Sequence, residues 1–433
     1  MAMTKPGKIK KSLIASFWDG IFSSCTAGLT ADYITPFALV LKATTSQIGV
    51  LSALPSLVSS LAQLKTEDLT EKLKSRAKVV SIFIFLHACA MIPVIFLPYL
   101  VTERRVELLI ILVTLFTSLG GVAGPAWLSL LVEYIPHKKR GRYFGWRSRI
   151  LGIVTVLCSL AAGLTLHLAK DNALKGFMAI FIAAVVCRFV SWYYLTRMYE
   201  PRYKSAGDSY FSFLDFIRRA RESNFVKFIF FVSSFIFCVN IASPFFAVFM
   251  LRDLKFDYLT YTLLTVTVTI TQICAFNRWG THADRVGNIR IIKFTSVFIA
   301  TLPLWWVISR NPLVLVFAQI VSGFAWAGFN LCSVNFIHDA VMPQKRVRCI
   351  AFYGAFIGVA TCLGSLSGGF LSKYVPELFG HRLLCLFLLS SVLRFSAIFI
   401  FSGRIKEVRH AEHMTDRDLF LGVTGIIKQG DET

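Results

Sequence analysis

Charge is what this sequence has least of for its size. Only 16% of its 433 residues are charged, and 24 acids stand against 46 Lys and Arg. A soluble chain of this length folds as two or three domains under charged surfaces, and here there is too little charge to cover them. Histidine is scarce as well, at 8, and the 10 cysteines show no paired metal spacing. Nearly all of them fall inside apolar runs, so they read as small packing residues, with neither a zinc site nor a disulfide framework. No nucleotide-binding loop is present, which excludes ATP as the direct energy source. Nucleophile, base and metal constellations are also missing. An enzyme is therefore not expected, and no catalytic residue, metal or cofactor is assigned.

What fills the chain is apolar. Hydrophobic residues make up 55%, aromatics 14%, and phenylalanine alone numbers 40. Runs of about 18 or more apolar residues recur, each long enough to cross ~30 Å of hydrocarbon as a helix. Twelve spans are expected: 12–41, 46–64, 78–100, 107–132, 148–169, 176–197, 225–251, 258–276, 291–309, 313–341, 349–374 and 383–403. The class is an all-α polytopic membrane protein. The Lys-rich start (Lys5, Lys8, Lys10, Lys11) resembles a signal peptide, but the following run is too long and holds Asp19 and Asp32. It reads as a retained first helix.

A formal charge of +22 invites a nucleic-acid reading, so its position decides. With helix-end residues counted, the N-tail, the even-numbered loops and the C-tail hold 34 Lys and Arg, and the odd-numbered loops hold 10. That asymmetry obeys the positive-inside rule and assigns both termini to the cytoplasm. The basic excess is a topology signal, and no nucleic-acid partner is expected.

The chain repeats itself at an offset of about 206. "EYIPHKKRGR" (133–142) aligns with "DAVMPQKRVR" (339–348), pairing Glu133 with Asp339, Arg140 with Arg346 and Arg142 with Arg348. "SLAAG" (159–163) meets "SLSGG" (365–369), and "RFVSWYYLTRMYEPR" from Arg188 echoes "RFSAIFIFSGRIKEVR" from Arg394, with Glu200 and Glu407 near their ends. "DYITPFALVL" (32–41) faces "NIASPFFAVF" (240–249), pairing Asp32 with Asn240 and Pro36 with Pro244. The expected organisation is a six-helix bundle over 1–198, a cytoplasmic linker with an amphipathic segment over 199–224, a second bundle over 225–404 and a cytoplasmic tail over 405–433.

One stretch, "WGTHADRVGNIR" (279–290), interrupts the apolar background with two glycines, Asp284 and two arginines. Together with the six-plus-six repeat, Gly280, Asp284, Arg285, Gly287 and Arg290 resemble the charged loop of the major facilitator superfamily, with its last basic residue slightly late. The first-half copy, "KTEDLTEKLKSRAK" (65–78), keeps an acid and a basic cluster but no glycine. The resemblance implies two pseudo-symmetric six-helix halves that transport a small solute by alternating access. It also implies a cytoplasmic latch, in which Arg285 and Arg290 reach carboxylates such as Asp339 or Glu133, with Arg140, Arg142, Arg346 and Arg348 beside them. The alternative is a static turn whose charges set topology.

Ionisable groups in hydrocarbon are costly and point to function. Asp32 leads: Pro36, four residues on, cannot donate to its carbonyl, and Pro244 frees the Asn240 carbonyl in the same way. Each half would then offer a side chain and an open carbonyl for substrate or ion coupling, unless both merely cap kinks. His87 is a proton-carrier candidate, and Gln272, Gln319 and Asn330 are candidate cavity-lining groups. Threonines of span 8 are expected to return to carbonyls one turn back, and glycines of span 11 to allow close helix contact.

The functional expectation is a monomeric secondary active transporter of the cytoplasmic (inner) membrane, embedded in lipid and coupled to an ion, with the proton first. The rivals are a lipid or lysolipid transporter of the same fold, a membrane-embedded enzyme, and a transport-silent sensor, the last disfavoured by the short tail after Arg404.

Overall fold

The computed structural model describes residues 5–136, 139–200, 223–341, 346–408 and 422–423. In hydrocarbon every backbone polar group must be satisfied within the chain, which leaves the helix as the solution for an unpaired segment. The apolar runs comply. The helices are α1 (Lys5–Thr30), α2 (Ile34–Val40), α3 (Thr45–Gln63), α4 (Thr66–Leu73), α5 (Arg76–Leu100), α6 (Arg105–Tyr134), α7 (Arg140–Leu168), α8 (Ala173–Thr196), α9 (Asn224–Asn240), α10 (Phe245–Val248), α11 (Tyr258–Val286), α12 (Asn288–Ile308), α13 (Pro312–Ala340), α14 (Arg346–Leu371) and α15 (Arg382–Phe401). Among the described residues no strand is formed.

Among the described residues ten helical stretches are long and apolar enough to cross a membrane, and an eleventh is added if α3 and α4, bent by 45°, count together. The remaining expected span, 12–41, is divided between α1 and α2 by a turn at 31–33. Span 8 differs from expectation. Helix α11 continues ten residues beyond 276, to Val286, because Trp279 points inward, fully buried, and donates to the Phe324 carbonyl at 2.8 Å. Polar composition suggested a loop there, and tertiary packing made it helix.

Two compact units emerge. The first takes the described parts of 1–207, 243–266 and 358–375, and the second takes the described parts of 208–242, 267–357 and 376–433. Inside the first unit, the ends of spans 7, 8 and 11 therefore group with helices of the first half, at the end that carries the odd-numbered loops. Small residues permit the approach. A Cβ on Gly49 would lie 2.7 Å from the Ser365 carbonyl and 3.1 Å from the Gly369 Cα. Ser46 donates to the Gly369 carbonyl at 3.0 Å, and Arg252 reaches Thr45 Oγ1 at 2.9 Å. The expected role of span 11 glycines in close contact holds at Gly358, whose Cβ would meet the Ser60 side chain, and at Gly369.

The core of the second unit is aromatic. Phe228, Phe231, Phe235, Phe329, Phe336 and Trp279 are all fully buried there. In the first unit one cluster is built on Val79, Val80, Ile84, Leu130 and Leu131, and Tyr33, Phe37, Phe177, Phe245 and Phe249 are fully buried elsewhere in that unit.

Candidate functional site

Span 1 breaks where the proline predicts. Phe37 N donates to Tyr33 O at 2.9 Å, so α2 restarts two residues after Asp32, at Ile34, and puts Pro36 in its first turn, where a missing N–H costs nothing. The Asp32 carbonyl is not left open. It accepts the Tyr261 hydroxyl at 2.6 Å. The Asp32 side chain keeps an open surface, and among the described residues it has no hydrogen bond or ion pair. Tyr33 and Tyr261 both lie within its electrostatic reach. Tyr33 is fully buried, bonds the Ser159 carbonyl at 2.5 Å, and shares a hydrogen bond of 2.8 Å with Thr262 Oγ1.

Span 7 also breaks, with a turn at 241–244 between α9 and α10. Pro244 immediately precedes α10, and a π turn, Phe249–Asp253, follows. Asn240 sits on the last turn of α9 and donates to the Ile236 carbonyl of its own helix at 2.8 Å. The carboxylate of the first half thus has an amide in its place that is engaged with its own helix. Beyond span 7, Asp257 caps α11 by accepting from Thr260 N at 3.2 Å and pairs with His167 Nδ1 at 2.8 Å. Burial pushes this carboxyl up, yet the bonds from Thr260 and His167 prevail and hold it below the usual carboxylate range.

His87 is half-buried, and its Nδ1 accepts from Arg188 Nε at 3.2 Å. An accepting ring nitrogen carries no proton, so here His87 is a neutral partner of an arginine. Gln272 and Gln319 are half-buried and Asn330 is exposed, on α11 and α13 of the second unit. The expected threonine back-bonds are present, as in Thr262 to Tyr258 O at 2.7 Å and Thr271 to Thr267 O at 2.8 Å.

At the end carrying the even-numbered loops, each half has an acidic cluster of the same design. Arg76 opens α5 and pairs with Glu133, and its Nε lies 3.2 Å from Glu200. Glu200 also accepts from Arg76 N at 2.8 Å and from Ser75 Oγ at 2.5 Å. In the second half Asn288 opens α12 and donates to Asp339 at 2.8 Å, while Glu407 accepts from Ile289 N at 2.7 Å. Arg140 Nε donates to the Ile135 carbonyl at 3.0 Å, and Arg142 is exposed. Asp284 and Arg285 are exposed on the last turn of α11, and Arg290 is half-buried. No ion pair of Arg285 occurs among the described residues. The two motif glycines differ: Gly287 makes the turn with φ +85°, whereas Gly280 lies within α11. In the first half Lys74, with φ 49°, takes a left-handed position at the equivalent turn. The side chains of Arg346 and Arg348, most of the 199–224 linker and most of the 405–433 tail lie outside the described residues.

Several further groups find their partners in the fold. Asp19 is buried and accepts from Ser191 Oγ at 2.7 Å and Trp127 Nε1 at 3.2 Å. Arg147 stacks 4.7 Å over the Trp127 ring and donates to Ser16 O at 3.0 Å, in space that Gly20 leaves open. Arg188 and Arg394, aligned by the repeat, do different work. Arg188 reaches His87 and, at 3.0 Å, Ser23. Arg394 donates to the carbonyls of Ile299 at 2.8 Å and Val239 at 3.2 Å, and so ties off the carbonyl end of α9 beside its break. Symmetry flagged these arginines, but apart from Ser390, which accepts from Arg394 Nε at 3.1 Å, the partners named here lie about 100 or more residues away and left no local signal. Tyr261 had none either.

A family model of the Major Facilitator Superfamily matches residues 20–312 and 228–416. Among solved structures, the D-xylose-proton symporter superposes with a TM-score of 0.70 at 13% identity, over 93% of this chain and 99% of that one. The nucleoside transporter NupG gives 0.68 at 16%, over 90% and 100%. A bacterial homolog of the human lysosomal transporter Spinster, inward-facing and unoccupied, gives 0.66 at 12%, over 98% of each. Two curated relatives match in part. An uncharacterized transporter of Buchnera aphidicola subsp. Schizaphis graminum is 24% identical over 141 residues, 33% of either chain. The probable efflux pump gsfJ of Penicillium aethiopicum is 30% identical over 98 residues, 22% of this chain and 18% of that one. The chain spans a third or less of the length of these curated relatives.

Proposed function

The chain belongs to the major facilitator superfamily, and from that premise we propose that it is a secondary active transporter, moving a small solute across the cytoplasmic membrane by alternating access and drawing on a proton gradient. As a family member it is a transporter and not an enzyme. The observation that carries the coupled reading is Asp32: an exposed carboxylate without a cationic partner among the described residues, at the break of a membrane-spanning helix. An acid in such a place is costly to keep unless it is used. Broken helices offer backbone and side-chain groups at one depth, as solute and ion sites require.

In this reading the odd-loop end faces outward and both termini are cytoplasmic, supported by the basic asymmetry. Asp32 alternates between a sealed and a wetted setting, taking up and releasing a proton in step with the halves. Asn240 is its uncharged counterpart in the second half, and Pro36 and Pro244 keep the two breaks. His87, Gln272, Gln319 and Asn330 contribute polar groups to the path. Glu133, Arg140, Arg142, Asp339, Arg346 and Arg348 form the cytoplasmic latch with the loop from Gly280 to Arg290, and Asp284 and Arg285 are its exposed members. Uptake and counterflow in proteoliposomes, with and without a pH gradient, test the reading. Solute accumulation that follows the gradient supports it, and accumulation indifferent to any ion gradient contradicts it.

A further inference from the structure

We propose that Tyr261 is an exchangeable partner of the Asp32 carbonyl: it fills that acceptor while the outer helix ends are packed, and cedes it, beside the carboxylate, to a hydrogen-bond-donating solute when they part. The inference rests on the transporter reading and adds a residue and a solute chemistry to it.

Four observations carry it. First, the acceptor exists because of Pro36. A backbone carbonyl away from water needs a partner, and the donor that a continuous helix would supply is absent at position 36. Second, its partner is a side chain from a distant helix, the Tyr261 hydroxyl at 2.6 Å. A bond made by span 8 to span 1 is broken by any motion that separates them. Third, the contact around that bond is close. Tyr261 is 3% exposed, and a Cβ on Gly163 would lie 2.6 Å from Thr262 Cβ. The glycine gives span 8 its seat against span 5, and the pair of Asp257 with His167 at 2.8 Å joins the same two helix ends. Fourth, the Asp32 carboxylate keeps an open surface beside the carbonyl and has no partner among the described residues.

Asp32 thus presents two acceptors, one plugged by a removable hydroxyl and one unmet, with no Lys or Arg bonded to either among the described residues. Such a site recognises N–H or O–H donors, in an ammonium or in neighbouring hydroxyls, and repels a carboxylate. When the solute leaves and the helices close, Tyr261 returns to the carbonyl, so the open acceptor exists only while the outer side is open.

The test has an accessibility arm and a solute arm. Ala31→Cys, at an exposed position beside Asp32, is labelled with a membrane-impermeant maleimide from the outside and compared with the parent. Tyr261→Phe removes one hydrogen bond from the closed form, and labelling rises about threefold to tenfold. Gly163→Ala, which unseats Thr262 by contact alone, raises labelling too. In the solute arm, D-xylose and putrescine are the donor probes and succinate is the carboxylate control, read by thermal shift of the purified protein. One of the two donor probes binds, and about fivefold more tightly in Tyr261→Phe, because the competing hydroxyl is gone. The probe that binds tells hydroxyl from ammonium chemistry. Unchanged labelling in Tyr261→Phe overturns the interlock. Binding of succinate, or of neither donor probe, overturns the solute assignment, and so does weaker donor binding in Tyr261→Phe. Absence of gradient-driven uptake in the parent would instead sink the transporter reading and leave the labelling result standing.

Discussion

Glu200 and Glu407 hold the same post in the two halves: each turns back from the chain after the sixth span to accept a backbone N–H at the start of the third, from Arg76 at 2.8 Å and from Ile289 at 2.7 Å. A helix start exposes unpaired N–H groups and the positive end of the dipole, so a carboxylate there is favourable twice over. Removing it, as in Glu200→Ala or Glu407→Ala, costs about 1–2 kcal/mol. Glu200→Ala costs more, because Arg76 and Ser75 lose a partner with it. Thermal unfolding in detergent measures both, and equal stability of Glu200→Ala and the parent would refute the capping role.

The two motif glycines separate by function. Gly287 has φ +85°, and a Cβ there would lie 2.5 Å from Glu407 Oε2. Gly287→Ala is expected to lose about 1–3 kcal/mol through backbone strain and the displaced cap. Gly280 is helical, with its nearest neighbour 3.9 Å away. Gly280→Ala is expected to be neutral or to gain up to about 1 kcal/mol. Paired melting curves decide, and a larger loss at Gly280 would reverse the assignment.

Asp284 and Arg285 sit exposed at the end of α11, where a static turn and a latch look alike. The latch reading expects Asp284→Asn and Arg285→Ala to favour opening toward the cytoplasm. Cysteine labelling from the cytoplasmic side then rises in both variants. Labelling equal to the parent's would leave a static turn.

Hydrocarbon made much of this fold legible. A run of apolar residues has few ways to satisfy its backbone, so the spans, the six-plus-six repeat and the broken first helix followed from composition, an offset and Pro36. The end of α11 did not follow, because Trp279 is held by Phe324, 45 residues on, and loop-like composition hides that. The pairs Glu133 with Arg76 and Asp339 with Asn288 were half-visible. The repeat aligned the two acids, but α4 shifts the register of the basic side by several residues, and Arg76 has Asn288 as its counterpart. Asp32 was found from its proline. Tyr261 was out of reach, since nothing near it in sequence announces a hydroxyl bound to another helix.

Orientation rests on the 34-to-10 distribution of basic residues. Single cysteines replacing Lys42, Glu103 or Asp171 are expected to react with an impermeant maleimide added outside the cell. Those replacing Ser75, His137 or Gln344 are expected to stay unlabelled until the membrane is permeabilised. Outside labelling of the second set would invert the topology.

Coupling at Asp32 is the centre of the account, and uptake by Asp32→Asn in proteoliposomes tests it most directly. The amide imitates the protonated acid and matches Asn240, which the second half already carries. With solute inside and outside and no gradient, counterflow persists near the parent rate, because solute can still be exchanged. With an inward proton gradient, accumulation above the outside concentration disappears, because no proton is taken up at position 32. Normal, pH-dependent accumulation by Asp32→Asn would contradict the account and reduce Asp32 to a helix-break cap.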